Sequence, residues 1–389
     1  MTLAPASPAT RDRAARRWSA GDRLSGADRR ALVLWFASRA AVAVLAVAGA
    51  WNLRDHAAAG MPSFVSLWDH WDVGLFTKVA HWGYDGYPAH YPDRGVVAFF
   101  PGLPLVLRAL HPVLGGWVGP GLLVSFVAGA IASVALVRLG ALEDDASTGS
   151  RAALYLVLSP YAVFLFAGYS EALFLALAIP AWLSARRGRW WAAGLLAAGA
   201  ASVRVTGLFL AVALVVHYAV TVRRPRRDAG WLLAPFAGVA GYAGYLYTLT
   251  GDWLAWPHAQ RVWGRQFTLP WTAFVDTWHG AFDSGRIDNY AWSFRAEILA
   301  VLVGVALTVV LLWLRRWGEA TYVGLQVIAF ATSSFYLSVG RATLLWWPLW
   351  LLLARWSLRR PAVHVAYLSV APALMAVAVL SFTSGRWVG

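Results

Sequence analysis

Long apolar stretches recur from end to end of this 389-residue chain, separated by short polar segments. About 20 apolar residues are enough for one helix to cross a bilayer. No water reaches the hydrocarbon core to satisfy backbone N–H and C=O groups, so a lipid-exposed crossing built from such stretches is helical. Composition agrees: 59% of residues are hydrophobic and 13% charged, against about 25% charged in a soluble domain. The expected fold class is therefore an all-α polytopic membrane protein. Residues 31–51 form the first candidate span, too long for the apolar core of a cleaved signal. The others are 118–140, 151–168, 171–186, 190–203, 206–222, 229–250, 296–314, 319–339, 342–357 and 362–382, which makes eleven.

The net charge of +14 invites a nucleic-acid reading, but its placement excludes one. The arginines cluster in short segments between apolar runs: Arg11 to Arg30, Arg186 to Arg189, Arg223 to Arg227, Arg315-Arg316 and Arg355 to Arg360. That is the pattern of cytoplasmic loops. Starting from a cytoplasmic basic tail, 1–30, eleven spans put every cluster on the inner side and the C-terminus outside. Residues 31–389 then form a single transmembrane domain. Lys78 is the only lysine, and with the abundant Ala and Gly this suggests a GC-rich bacterial genome. Cysteine is absent, which excludes disulfides and thiolate metal sites.

This topology leaves two long outer segments, 53–117 and 251–295, and they hold most of the residues suited to chemistry. The first carries Asp69, Asp72, His81, Asp85, His90 and Asp93; the second carries Asp252, His258, Arg261, Arg265, Asp276, Asp283, Arg286 and Asp288. Outer turns add Tyr169, Ser170, Glu171, Arg204 and Arg341. Leu105 to Leu114 is too short to span comfortably and is read as an interfacial or re-entrant helix. The tryptophans, 24 in all, fit interfacial belts.

Two acids stand three residues apart in Trp68-Asp69-His70-Trp71-Asp72. Read as one amphipathic helix, Trp68 to Trp82 places Trp68, Trp71, Leu75, Val79 and Trp82 on a buried stripe. Asp72 then lies about 70° from the stripe centre, and Asp69 about 130° away on the wetter side. Partial desolvation would make Asp72 the better base. The alternative is that both acids solvate the polar face of an interfacial helix. For Tyr169-Ser170-Glu171 the alternatives are a helix cap, with Ser170 as N-cap, and a functional role. Arg204, Arg261, Arg265 and Arg341 either snorkel or pair with Glu171 or Asp252, or they bind a phosphate. His81, His90 and His258 lack metal-ligand spacing, so no metal is indicated. No P-loop or dinucleotide fingerprint is present, so no nucleotide cofactor is expected.

Trp71-Asp72-Val-Gly-Leu-Phe-Thr-Lys-Val-Ala-His-Trp-Gly83-Tyr84, followed by Ala98-Phe-Phe-Pro-Gly-Leu-Pro104, resembles the PIG-V-like mannosyltransferases. Leu158-Ser-Pro-Tyr-Ala-Val-Phe-Leu-Phe-Ala-Gly-Tyr-Ser-Glu-Ala-Leu-Phe174 is similar to that family's second signature. Ala201-Ser-Val-Arg-Val-Thr-Gly-Leu208 and His258-Ala-Gln-Arg-Val-Trp-Gly264 resemble two later motifs. The resemblance implies a GT-C fold and inverting transfer of mannose from a polyprenyl-phosphate donor on the outer membrane face. In the family register Asp72 is the general base and Asp69 at most a supporting residue. Glu171, Arg204 and Arg341 would orient the base or hold the donor phosphate, and Arg261, Arg265, Tyr169 and His258 would line the substrate site. The implied partners are the lipid donor, a lipid or glycan acceptor and membrane lipids, with the chain acting as a monomer. A bacterial chain of this kind cannot inherit the GPI acceptor, and the donor sugar could differ, for example arabinose. Rival readings are a flippase of polyprenyl-linked sugars and a non-catalytic assembly subunit with the same fold.

Overall fold

The computed structural model describes residues 24–53, 60–85, 95–283 and 288–389. The basic tail before residue 24, His90, Asp93 and Arg286 lie outside the described residues, as does the side chain of Asp288. Regular structure among the described residues is helical, apart from one isolated bridge between Phe267 and Ser333.

In chain order the helices are α1 (Gly26–Leu53), α2 (Asp72–Trp82), α3 (Gly102–Leu114), α4 (Val118–Glu143), α5 (Ala146–Val157), α6 (Ser170–Arg186), α7 (Trp190–Val203) and α8 (Thr206–Thr221). The second half adds α9 (Ala234–Thr250), α10 (Ala255–Val262), α11 (Pro270–Phe282), α12 (Asp288–Trp313), α13 (Trp317–Ala331), α14 (Val339–Ala342), α15 (Trp347–Arg359) and α16 (Pro361–Thr383). Five segments are long and apolar enough to cross a membrane unaided: Gly26–Leu53, Val118–Glu143, Arg227–Thr250, Tyr290–Trp313 and Pro361–Thr383. At 1.5 Å per residue, the shorter helices fall below the roughly 30 Å of a hydrocarbon core.

Helix α6 is the hub. Most of its residues are buried, and it packs against α4 and α7. Small residues permit the close approach of α4 to α1 and α5 beside it. A Cβ on Gly140 would sit 2.4 Å from the Cα of Gly149, and one on Gly129 would enter the Trp35 ring. Without a hydrophobic drive between helices in lipid, such contacts supply van der Waals packing instead.

Three expected spans are corrected. The run 151–168 is not one helix: α5 stops at Val157, and a 3-10 turn at Ala162–Leu165 follows. Pro160 disfavours helical backbone at the residue before it. The freed carbonyls are met by Arg39, a fully buried residue of α1: its Nη2 donates to Val157 O at 2.8 Å and its Nη1 to Ala162 O at 2.9 Å. The run 319–339 ends as helix at Ala331, and 342–357 is helical as α15 only from Trp347. Each break falls beside a residue of the site described next.

The expected continuous helix from Trp68 to Trp82 is also two pieces. A 3-10 turn covers Ser66–Trp68, and α2 begins at Asp72. The buried face of α2 is Val73, Phe76, Val79 and Ala80, whereas Trp71 and Trp82 are exposed. Trp71 causes the difference. Its φ of 57° and ψ of −122° are incompatible with helix, and the Val73 N–H bonds His70 O across it.

Candidate active site

Four side chains from distant parts of the sequence form a contiguous buried cluster at one end of the bundle. Asp72 opens α2. Its Oδ2 accepts from Arg341 Nη1 at 2.9 Å. Its Oδ1 has no hydrogen bond among the described residues, and the side chain keeps 14% exposure. Its backbone N–H donates to the Tyr169 hydroxyl at 3.2 Å. Asp69, by contrast, ends the preceding turn and is exposed. Asp72 is thus the more buried acid, as the stripe argument expected, but through the break at Trp71 and not through helical phase.

Glu171 lies in the positive first turn of α6 and is fully buried. Its Oε1 accepts from Arg204 Nη1 at 2.5 Å and lies 3.0 Å from Arg341 Nε. The second contact is an ion pair not aligned for a hydrogen bond, and Glu171 Oε2 has no hydrogen bond. Ser170 is not the N-cap: that position is Tyr169, without a side-chain cap bond. The Ser170 hydroxyl instead accepts from Arg204 Nη1 at 2.7 Å. Arg204 stands at the extended residue that closes α7. Arg341 projects from α14 and is 8% exposed. Its guanidinium lies over the rings of Phe164 and Tyr169, 5.2 and 5.3 Å from their centroids. A buried arginine is stable here because carboxylates and ring faces together replace water.

Arg341 owes its place to an acid that the sequence reading passed over. Glu297, buried in α12, accepts the backbone N–H groups of Ser338, Val339 and Gly340 at 2.7, 2.6 and 3.2 Å. It caps α14 from outside, with Ser338 held at a φ of 64°. The available signal was an acid at the edge of an apolar run, where burial is costly without partners. Trp71 and Ser338 both hold conformations that cost a non-glycine residue about 1–3 kcal/mol, and both adjoin the acid–arginine cluster.

Arg265 completes the cluster. Gln266 N–H to Ser334 Oγ (3.1 Å) and Thr268 N–H to Thr332 O (2.8 Å) tie its segment to the loop before α14. It is half-buried, and its side chain makes no hydrogen bond or ion pair among the described residues. Burial, then the cations Arg341 and Arg204, pull its pKa down to about 10. It therefore remains charged at neutral pH. His258 and Arg261 do not join the cluster. His258 Nδ1 pairs with Asp252 Oδ2 at 2.6 Å on an exposed surface, and Arg261 is exposed on α10. Among the described residues no three His, Asp or Glu side chains converge as metal ligands would.

The class so defined is a helical, multi-pass membrane protein with a buried carboxylate–arginine site at one end of its bundle. Residues 57–223 match the family described as Mannosyltransferase (PIG-V). Over that stretch the chain is PIG-V-like, and the stretch contains Asp72, Tyr169, Glu171 and Arg204. It is 40% identical over 158 residues to GPI alpha-1,6-mannosyltransferase 2 of Rattus norvegicus, covering 38% of this chain and 30% of the rat protein. The Homo sapiens protein of the same name is 40% identical over 159 residues, covering 38% and 31%. The Mus musculus protein is 41% identical over 149 residues, covering 36% and 29%. The match thus spans under a third of each relative's length. Arg265, Glu297 and Arg341 lie beyond the family match.

Proposed function

We propose that the protein is an inverting mannosyltransferase that uses a polyprenyl-phosphate mannose donor at the extracytoplasmic face of the plasma membrane. The observation that carries this reading is the presence, in one charged cluster, of Asp72 and of Arg265, whose guanidinium makes no direct contact with an acid among the described residues. Among the described residues, one carboxylate oxygen of Asp72 is open, and the Arg265 guanidinium is in no direct ion pair, although it lies within the field of Asp72 and Glu297. The first suits a base and the second suits a phosphate.

The step balances as follows. The acceptor hydroxyl oxygen forms a bond to the anomeric carbon, and its proton passes to Asp72. The bond from that carbon to the phosphate oxygen breaks on the opposite face, and the electron pair leaves with the lipid phosphate. Arg265, Arg341 and Arg204 stabilise the growing phosphate charge. Glu171 keeps Arg204 and Arg341 in place. The sugar arrives activated, so this step needs neither nucleotide nor metal. The acceptor is a lipid-linked glycan or another hydroxyl-bearing molecule. The basic end of the bundle, with Arg186, Arg316 and Arg355, faces the cytoplasm.

The test is transfer of labelled mannose by purified protein from polyprenyl-phosphate mannose. Asp72→Asn should lose about 10²–10⁴-fold in rate, and Asp69→Asn should keep substantial activity. Wild-type turnover by folded Asp72→Asn would remove the base assignment. Transfer from a polyprenyl-phosphate arabinose but not from the mannose donor would change the substrate.

A further inference from the structure

The end of the bundle away from Asp72 contains a cavity of about 270 Å³ between the start of α1, the last turns of α4 and the α6–α7 turn. Charged side chains on its wall are Asp28, Arg138, Arg186, Arg187 and Arg189. The acids available to them are already engaged. Asp28 accepts from Arg138 through both oxygens, at 3.1 and 3.0 Å. Glu143 accepts from Arg186 at 2.6 Å, and from Arg316 at 2.9 and 2.8 Å. Arg187 and Arg189 make no side-chain hydrogen bond or ion pair among the described residues. Arg187 is half-buried, and its pKa is lowered by burial and then by the charges of Arg189 and Arg138. Among the described residues, cations are therefore crowded around a cavity whose one wall acid, Asp28, is already paired with Arg138.

We propose that this cavity binds a phosphate group, supplied by the headgroup of an anionic phospholipid at the membrane boundary. Two guanidinium forks match the tetrahedral oxygens of a phosphate diester. The position, between helices at the arginine-rich end, is where an anionic lipid headgroup is accessible. The site is separate from the Asp72 cluster and does not depend on the proposed transferase reaction.

The sign of the electrostatics gives the test. Full-length protein in neutral detergent is melted with and without dioleoylphosphatidylglycerol, dioleoylphosphatidylcholine or inorganic phosphate at matched ionic strength. Phosphatidylglycerol should raise the wild-type Tm by several degrees, and phosphatidylcholine should not. The double variant Arg187→Gln/Arg189→Gln should melt at or above wild type without lipid, because repulsion has been removed, and should lose the lipid response. Arg359→Gln/Arg360→Gln, exposed and outside the cavity, should keep it. A phosphate-induced rise in wild type that the Arg187/Arg189 variant loses would support the same site with a soluble source. The proposal is overturned if that variant keeps the phosphatidylglycerol response, if neither anion raises the wild-type Tm, or if the lipid-free variant melts well below wild type.

Discussion

The two ends of the bundle each carry a buried acid–arginine network, and the networks are built differently. At the basic end, both oxygens of Glu143 are taken by Arg316, and Arg186 adds a further bond. Arg316 also binds Glu319, and Arg355 lies 3.5 Å from Glu143. The nearby Arg315, at a φ of 55°, is an ordinary left-handed helix stop, with the Arg316 N–H bonded to Leu311 O at 2.8 Å. At the Asp72 end, among the described residues, one oxygen of Asp72 and one of Glu171 are open, and the Arg265 side chain makes no hydrogen bond or ion pair. The positive φ values at Trp71 and Ser338 stop no helix. They precede α2 and α14. A network in which both Glu143 oxygens are filled fastens α4, α6, α13 and α15 together. An unsaturated one, held by strained turns, keeps bonding capacity for something that is not protein. Arg187 and Arg189 lie outside the Glu143 network at the basic end and make no side-chain hydrogen bond among the described residues, which is why they carry a separate proposal.

This contrast can be broken by substitution. The largest expected effect is the loss of transfer by Asp72→Asn, with the Tm nearly unchanged because one Arg341 contact is replaced by an amide oxygen. A large drop in Tm would make Asp72 a fastener like Glu143. Next is Glu143→Gln, which leaves Arg186, Arg316 and Arg355 around a neutral amide. It should cost about 3–5 kcal/mol of stability, read as a lowered Tm, while folded protein at low temperature keeps its KM for donor. Arg265→Gln should do the reverse. Its Tm should hold, and its KM for the phosphate donor should rise about tenfold, since a charge-assisted contact to phosphate is removed. An unchanged KM would leave Arg265 as a bystander. The smallest effect is expected from Ser338→Gly. It relieves a left-handed residue at an entropic cost, so thermal unfolding should shift by no more than about 1 kcal/mol, toward stability.

Much of the fold was legible because apolar length and arginine placement are local quantities. Most of the candidate runs correspond to helices, 151–168, 319–339 and 342–357 being broken, and Arg186, Arg316 and Arg355, assigned to one side from sequence, meet around Glu143. What was misjudged lay where tertiary contacts override a local pattern. The stripe through Trp68 and Trp82 has helical spacing, but Trp71 adopts a turn that interrupts it. The run 151–168 is apolar throughout, yet Arg39 stabilises its break from a different helix. His258 and Arg265 looked equivalent in one outer segment. Only the ties from Gln266 and Thr268 to the loop before α14 bring Arg265 to the cluster, whereas His258 turns to Asp252.

The sequence alone determined that the chain is helical and membrane-spanning, because backbone groups in lipid have no other way to be satisfied. It also singled out Arg204 and Arg341 as cations costly to place there without partners, Asp72 as the acid at the apolar edge, and Glu171 as an acid at an outer turn. Only the tertiary structure decided that these four are one another's partners. Their pairing depends on where helix ends meet, and on the carboxylate of Glu297 fixing the backbone that carries Arg341. Neither is encoded in the spacing of a single segment.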